Sequence, residues 1–232
     1  MDFLSNKYFL IALTFATFMG AQWLQRRTGL RLLNPILISI AVLICLLFGL
    51  GIDYETYSEG GEYIDFWLKP AVVALGVPLY RQLESIKRQM MPLLLAEMAG
   101  CVAGILSVVA VAELLGASRE VIVSLAPKAV TTPIAMEIAS SMGGNPSLTA
   151  AVVVCTGLFG GMAGFRIIKI THIKNPISGG LSMGTAAHAI GTSVAMERSD
   201  HYGAFSSLGL TLNGLLTAML APFILRLLGY GL

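Results

Sequence analysis

Ala126-Pro127-Lys128-Ala129-Val130-Thr131-Thr132-Pro133 lies in the middle of an apolar run, Val121–Met142, and its reading decides the architecture. Pro133 has no N–H, and its ring collides with the carbonyl of Ala129 in a continuous helix. Thr132, which precedes it, is pushed toward extended geometry. Residues 128–132 are therefore expected to be an unwound link between two half-helices. Freed amides, the hydroxyls of Thr131 and Thr132 and the ammonium of Lys128 converge there, a set that suits an anion such as a carboxylate. The competing reading is that Lys128 snorkels, or pairs structurally with Glu137 or Glu97.

The rest of the chain says what surrounds this break. Its 232 residues are 56% apolar and 12% charged, with a mean hydropathy of +0.78. Soluble domains carry about 25% charged residues, so this is an all-α polytopic membrane protein with room for about eight segments of roughly 20 residues. Large extramembrane domains are excluded. A net charge of +2 spread along the chain gives no case for nucleic-acid binding. Cys45, Cys101 and Cys155 all sit in apolar runs, which argues against disulfides and against a metal centre. Gln25-Arg26-Arg27 follows the first apolar run where a signal peptide would carry small residues, so that run is expected to be a retained helix.

Apolar stretches at Tyr8–Leu24, Leu32–Ile52, Met90–Leu115, Ser147–Phe165 and Ala204–Leu228 are each long enough to span. Trp67–Tyr80, Val121–Met142 and Ser178–Met196 are interrupted by Pro, Gly or polar residues. Backbone in hydrocarbon must satisfy its own hydrogen bonds, so these discontinuous segments belong in the interior or beside a water-filled cavity. Basic clusters at Arg26–Arg31, Arg81–Arg88 and Arg166–Lys174 face the cytoplasm by the positive-inside bias. The acidic loop Asp53–Asp65 then falls outside, with the N-terminus. This arrangement holds if Val121–Met142 re-enters as a hairpin; if it spans, the last basic cluster is displaced to the outside. The two proline breaks favour the hairpin.

A repeat supports the same architecture. Asn34-Pro35 and Leu47-Phe48-Gly49 match Asn145-Pro146 and Leu158-Phe159-Gly160, an offset of 111 residues from Asn34 to Asn145. Flanking charges send the two copies across in opposite directions, giving an inverted-topology repeat with halves 1–115 and 116–232. Secondary transporters use this design, with substrate sites at the midplane in broken helices. The offset also lays Trp67–Tyr80, with its break at Pro70, Gly76 and Pro78, against Ser178–Gly191, which holds most of Gly184-Thr185-Ala186-Ala187-His188-Ala189-Ile190-Gly191-Thr192. On a helix, Thr185, His188 and Thr192 form one polar stripe. That stripe is either part of a ligand site or a packing seam with a satisfied core histidine.

Expected substrate-binding residues are thus Lys128, Thr131, Thr132, Thr185, His188 and Thr192. Pro70, Gly76, Pro78, Pro127, Pro133, Gly184 and Gly191 shape the backbone. His188, Glu137 and Glu97 are the proton or ion candidates, with Glu197 beside them, and each of the three glutamates is weighed against a structural role that the sequence favours. Asn34 and Asn145 are expected to cap helices. No metal spacing, nucleotide loop or nucleophile–base pair appears, so neither a cofactor nor enzymatic activity is expected.

Leu33-Asn34-Pro35, Lys69-Pro70-Ala71-Val72-Val73-Ala74-Leu75, the block from Pro127 to Met136, the block from Met183 to Thr192 and Tyr202-Gly203-Ala204-Phe205-Ser206-Ser207-Leu208 together resemble the LrgB/CidB family. The resemblance covers nearly the whole chain. It implies a multi-pass protein of a bacterial inner membrane and carries two functions. One is holin/antiholin-like control of murein hydrolase export and autolysis, with a small LrgA/CidA-type membrane partner. The other, from the related plant plastidial glycolate/glycerate translocator, is transport of small monocarboxylates. The family supplies no agreed residue roles, so the site expectation rests on the breaks at Lys128 and His188. A homodimer is expected by analogy with transporters of this design.

Overall fold

The computed structural model describes residues 6–29, 33–67, 70, 73, 76–81 and 83–230, and every regular element among them is helical. They form two compact units, Met1–Leu75 and Gly76–Leu232.

The first unit holds α1 (Lys7–Thr28), α2 (Pro35–Leu50) and α3 (Tyr54–Asp65), with α1 packed on both others. Asn34 caps α2 as expected, its side chain accepting from the amides of Ile36 and Leu37 ahead of Pro35. The acidic stretch expected as a loop is the helix α3. Thr14 Oγ1 and Tyr57 Oη lie 2.9 Å apart, and Lys7 Nζ donates to Tyr63 Oη at 2.8 Å. Gly60 makes the contact possible, because a Cβ there would lie 3.0 Å from Leu10 Cβ. Polar anchoring, together with one small residue, thus turns an acidic sequence into a packed helix.

The second unit holds α4 (Gly76–Arg81), α5 (Leu83–Arg88), α6 (Met90–Leu114), α7 (Arg119–Leu125), α8 (Thr132–Ser141), α9 (Pro146–Ile170), α10 (Pro176–Arg198) and α11 (Asp200–Leu227). Asn145 caps α9 and Asn175 caps α10, each before a proline. Three helices therefore start with Asn-Pro, so the pair at 34 and 145 records helix-start chemistry as well as any repeat. Gly76 and Pro78 lie within α4. Of the break expected at Lys69–Pro78, residues 69, 71, 72, 74 and 75 lie outside the described residues.

Among the described residues three helices, α6, α9 and α11, are long and apolar enough to cross a bilayer, which makes this a membrane protein. α2 is apolar but has only 16 residues. The expectation of about eight segments includes three discontinuous ones, and two of these are seen as broken among the described residues. The structure divides Val121–Met142 into two pieces, α7 and α8, of 7 and 10 residues, as the proline breaks lead one to expect. It also interrupts α10 at His188, whose φ of 41° and ψ of −134° are not helical.

The α7–α8 segment folds back. Ser124 Oγ near the end of α7 accepts from the Asn145 amide at 2.7 Å, and Thr149 Oγ1 donates to Ser124 O at 2.9 Å. The chain leaving α8 therefore returns to the end of α7. Cys101, Ile105 and Val109 of α6, Ile122 and Val123 of α7, Ile138 of α8 and Ile224 and Leu225 of α11 pack into one apolar core around it. The link is unwound as expected, with one shift: the extended residue is Thr131 (φ −65°, ψ 147°), while Thr132 already opens α8. Pro133 then occupies the first turn, where its φ is helical and no hydrogen bond is lost.

Small residues bring α10 against its neighbours. A Cβ on Gly184 would lie 2.0 Å from Ser206 O of α11, and one on Gly160 of α9 would lie 2.2 Å from Ala187 Cβ. Such approach is how helices associate where lipid removes the hydrophobic drive.

Candidate functional site

A cavity of about 460 Å³ lies between α6, the α7–α8 link, α10 and α11. That volume suits a small organic ligand. Its polar lining is Glu97 and Cys101 from α6, Lys128 from the link, Thr185 and Ser182 from α10, and Asn213 and Thr217 from α11.

Lys128 enters because the link beside Pro127 is not helical, and its Nζ lies 3.5 Å from Gly104 O, a marginal hydrogen bond. Among the described residues no carboxylate lies within ion-pair distance of it. The structural pairing with Glu137 or Glu97 weighed from the sequence is therefore absent, and Glu137 is exposed.

Glu97 is 1% exposed. Thr185 Oγ1 lies 2.5 Å from Glu97 Oε1 and 2.8 Å from Leu181 O, so its hydrogen is shared between a carboxylate and a backbone acceptor. Glu97 Oε2 has no partner. A buried carboxylate oxygen without a hydrogen bond is costly, and this one belongs to a residue lining the cavity.

Asn213 joins the two discontinuities. Its Nδ2 donates to Ala129 O and to Thr185 O, both at 3.0 Å. Ala129 O belongs to the unwound link ahead of α8, and Thr185 O lies one turn before the break at His188. One amide on an unbroken helix thus satisfies backbone acceptors from both broken segments. Thr217 Oγ1 extends the network, 3.4 Å from Asn213 Oδ1 and 3.3 Å from Cys101 Sγ.

The expected site residues separate into two groups. Lys128 and Thr185 meet at the cavity, and Glu97 joins them. Thr131 and Thr132 stand at the start of α8 and do not line it. His188 and Thr192 turn elsewhere, because the break at His188 destroys the single helical stripe assumed from their spacing. His188 Nε2 lies 2.9 Å from Val153 O of α9, and Thr192 Oγ1 lies 3.0 Å from Ser206 Oγ of α11. Both are buried packing contacts. Gly184 and Gly191 lie against backbone, at Ser206 O and Met183 O. Asn213 and Thr217 were missed by the sequence reading, although an amide inside the run Ala204–Leu228 is a polar residue at membrane depth and signals interhelical bonding. Among the described residues no cluster of His, Cys, Asp and Glu could hold a metal ion.

A model described as the LrgB-like family matches residues 14–227. The chain is 36% identical to the protein YwbG of Bacillus subtilis, over 92% of this chain and 95% of that protein. It is 32% identical to the holin-like protein CidB of Staphylococcus aureus and 31% to that of Staphylococcus epidermidis, in both cases over 94% of this chain and 95% of the relative. No solved structure matches the chain.

Proposed function

The chain belongs to the LrgB-like family, and from that premise we propose that it is a holin-like membrane protein whose own cavity binds and passes small monocarboxylates. The observation that carries the carboxylate reading is Lys128: a cation in a cavity among apolar helices, held at 3.5 Å by one backbone carbonyl and by no carboxylate. A glycolate-, glycerate- or pyruvate-sized acid brings the missing negative charge. Its oxygens meet the ammonium, while the Asn213 amide, with both hydrogens given to Ala129 O and Thr185 O, holds the link and α10 beside it. The breaks at 126–131 and at His188 give the walls that would move in alternating access across a bacterial inner membrane, with the α7–α8 hairpin re-entrant and the halves 1–115 and 116–232 inverted. On this reading Thr131, Thr132, His188 and Thr192 support the breaks.

The name of the staphylococcal relatives favours the second reading, a holin/antiholin-like regulator of murein hydrolase export acting with an LrgA/CidA-type partner. Size is the argument against a protein-passing pore in the single chain: about 460 Å³ accommodates an acid of a few carbons and no folded enzyme. Reconstitution distinguishes the two. Vesicles containing the chain should pass radiolabelled glycolate or pyruvate while retaining a fluorescent dextran, and Lys128→Ala should lower the flux at least tenfold. Dextran release, or wild-type acid flux in folded Lys128→Ala, would overturn the carboxylate reading. A homodimer and the LrgA/CidA-type partner are part of the proposal, tested by whether flux requires co-expression of the partner.

A further inference from the structure

We propose that Glu97 is the protonation site of this cavity, taking up a proton when the anion binds, so that the acid crosses as anion plus proton. The proposal rests on the anion reading of Lys128.

The geometry comes first. Every other carboxylate whose exposure is described is exposed, whereas Glu97 is 1% exposed on the spanning helix α6. One of its oxygens is held by Thr185 and the other has no partner. Lys128 does not neutralise it. The carbonyl that Lys128 touches, Gly104 O, lies seven residues further along the same helix, roughly 10 Å along the axis. Cation and carboxyl therefore stand toward opposite ends of one cavity. The titratable groups that face Glu97 are Lys128 from the link and Cys101 from its own helix; α10 and α11 present only the neutral Thr185, Ser182, Asn213 and Thr217.

An anion lodged at Lys128 and an ionised Glu97 would repel across the cavity. At roughly 10 Å and an effective dielectric of about 20, that repulsion weakens anion binding by about tenfold. A proton from solvent on Glu97 removes the repulsion and relieves the buried, unpartnered carboxylate oxygen Oε2 of its charge. The balance is one proton and one anion in, with Glu97 returning to its carboxylate when both leave. By linkage, binding must then take up a proton and strengthen as pH falls.

The test is calorimetric titration of the purified full chain with glycolate, glycerate, lactate, pyruvate and acetate, in paired buffers of different ionisation enthalpy. Wild type should take up about one proton per bound anion wherever Glu97 starts ionised. Glu97→Gln should bind at least as tightly, with no uptake and no pH dependence. Difference infrared spectra of the wild type provide a reading that needs no variant: a protonated-carboxyl band should appear when the anion binds. Proton uptake persisting in Glu97→Gln, or binding to wild type without uptake or carboxyl band at any pH, overturns the role of Glu97 and leaves the anion site standing. If no acid binds, or if Lys128→Ala binds like wild type, the anion reading falls and this one with it.

Discussion

Replacing Asn213 tests whether the two broken segments are held from a third helix. Its Nδ2 donates two hydrogen bonds of 3.0 Å, one to each segment. In membrane proteins such bonds have measured worths of about 0.6–1.7 kcal/mol each, which gives about 1–3 kcal/mol for the pair. Leaving both carbonyls dry would cost about 1–3 kcal/mol apiece. Ala129 and Thr185 both border the cavity, however, so water can reach them, and the lower range is expected for Asn213→Ala.

Asn213→Asp discriminates more sharply because it conserves shape. An ionised Asp turns an acceptor toward two carbonyl oxygens, and a protonated one supplies a single donor. Asp should therefore destabilise more than Ala, against the order that volume would give. Equilibrium unfolding in mixed micelles measures both, and amide exchange should rise specifically at residues 126–133 and 185–192. Asn213→Ala within about 0.5 kcal/mol of wild type, or Asp milder than Ala, would refute the reasoning.

Gly184→Ala should destabilise by about 1–3 kcal/mol, because its Cβ would stand 2.0 Å from Ser206 O and must drive α10 from α11. The control Gly20→Ala, with nothing within 4 Å, should be neutral or stabilising by up to about 1 kcal/mol; unfolding midpoints of the two variants check the contrast. Thr185→Val removes the hydroxyl that holds Glu97 Oε1 at 2.5 Å and should cost about 1–3 kcal/mol, with Thr185→Ser restoring most of it. Equal stability of the Val and Ser variants would show that the hydroxyl contributes nothing.

The break at Lys128 was legible because proline acts locally: a missing N–H and a ring clash need no knowledge of neighbours. Helix starts at Asn34 and Asn145 were legible for the same reason. What failed depended on contacts between helices. Thr185, His188 and Thr192 look like one stripe only if the helix is continuous. No proline marks its interruption; a histidine with φ of 41° does. Residues with side chains at Cβ disfavour that region by about 1–3 kcal/mol, so tertiary packing holds it there. A Cβ on Gly157 would come within 2.5 Å of His188 Cε1, which shows how closely the ring is seated on α9. Asn213 was hidden in an apolar run, and its importance lies in which two carbonyls it reaches.

On the carboxylate reading, Asn213 also sets the scale of the conformational change. Lys128 comes from one break and Thr185 from the other, and the same amide bonds the carbonyls of Ala129 and Thr185. Separating the link from α10 must release at least one of these bonds, at about 0.6–1.7 kcal/mol. A ligand shifts such an equilibrium only by its differential affinity for the two states, with 1.4 kcal/mol for each factor of ten. An anion that contacts Lys128 in both arrangements but meets the Thr185–Glu97 wall in only one supplies a difference of that order. The lock at Asn213 is then weak enough for a small acid to open. It is also strong enough to keep the cavity assembled when no acid is bound.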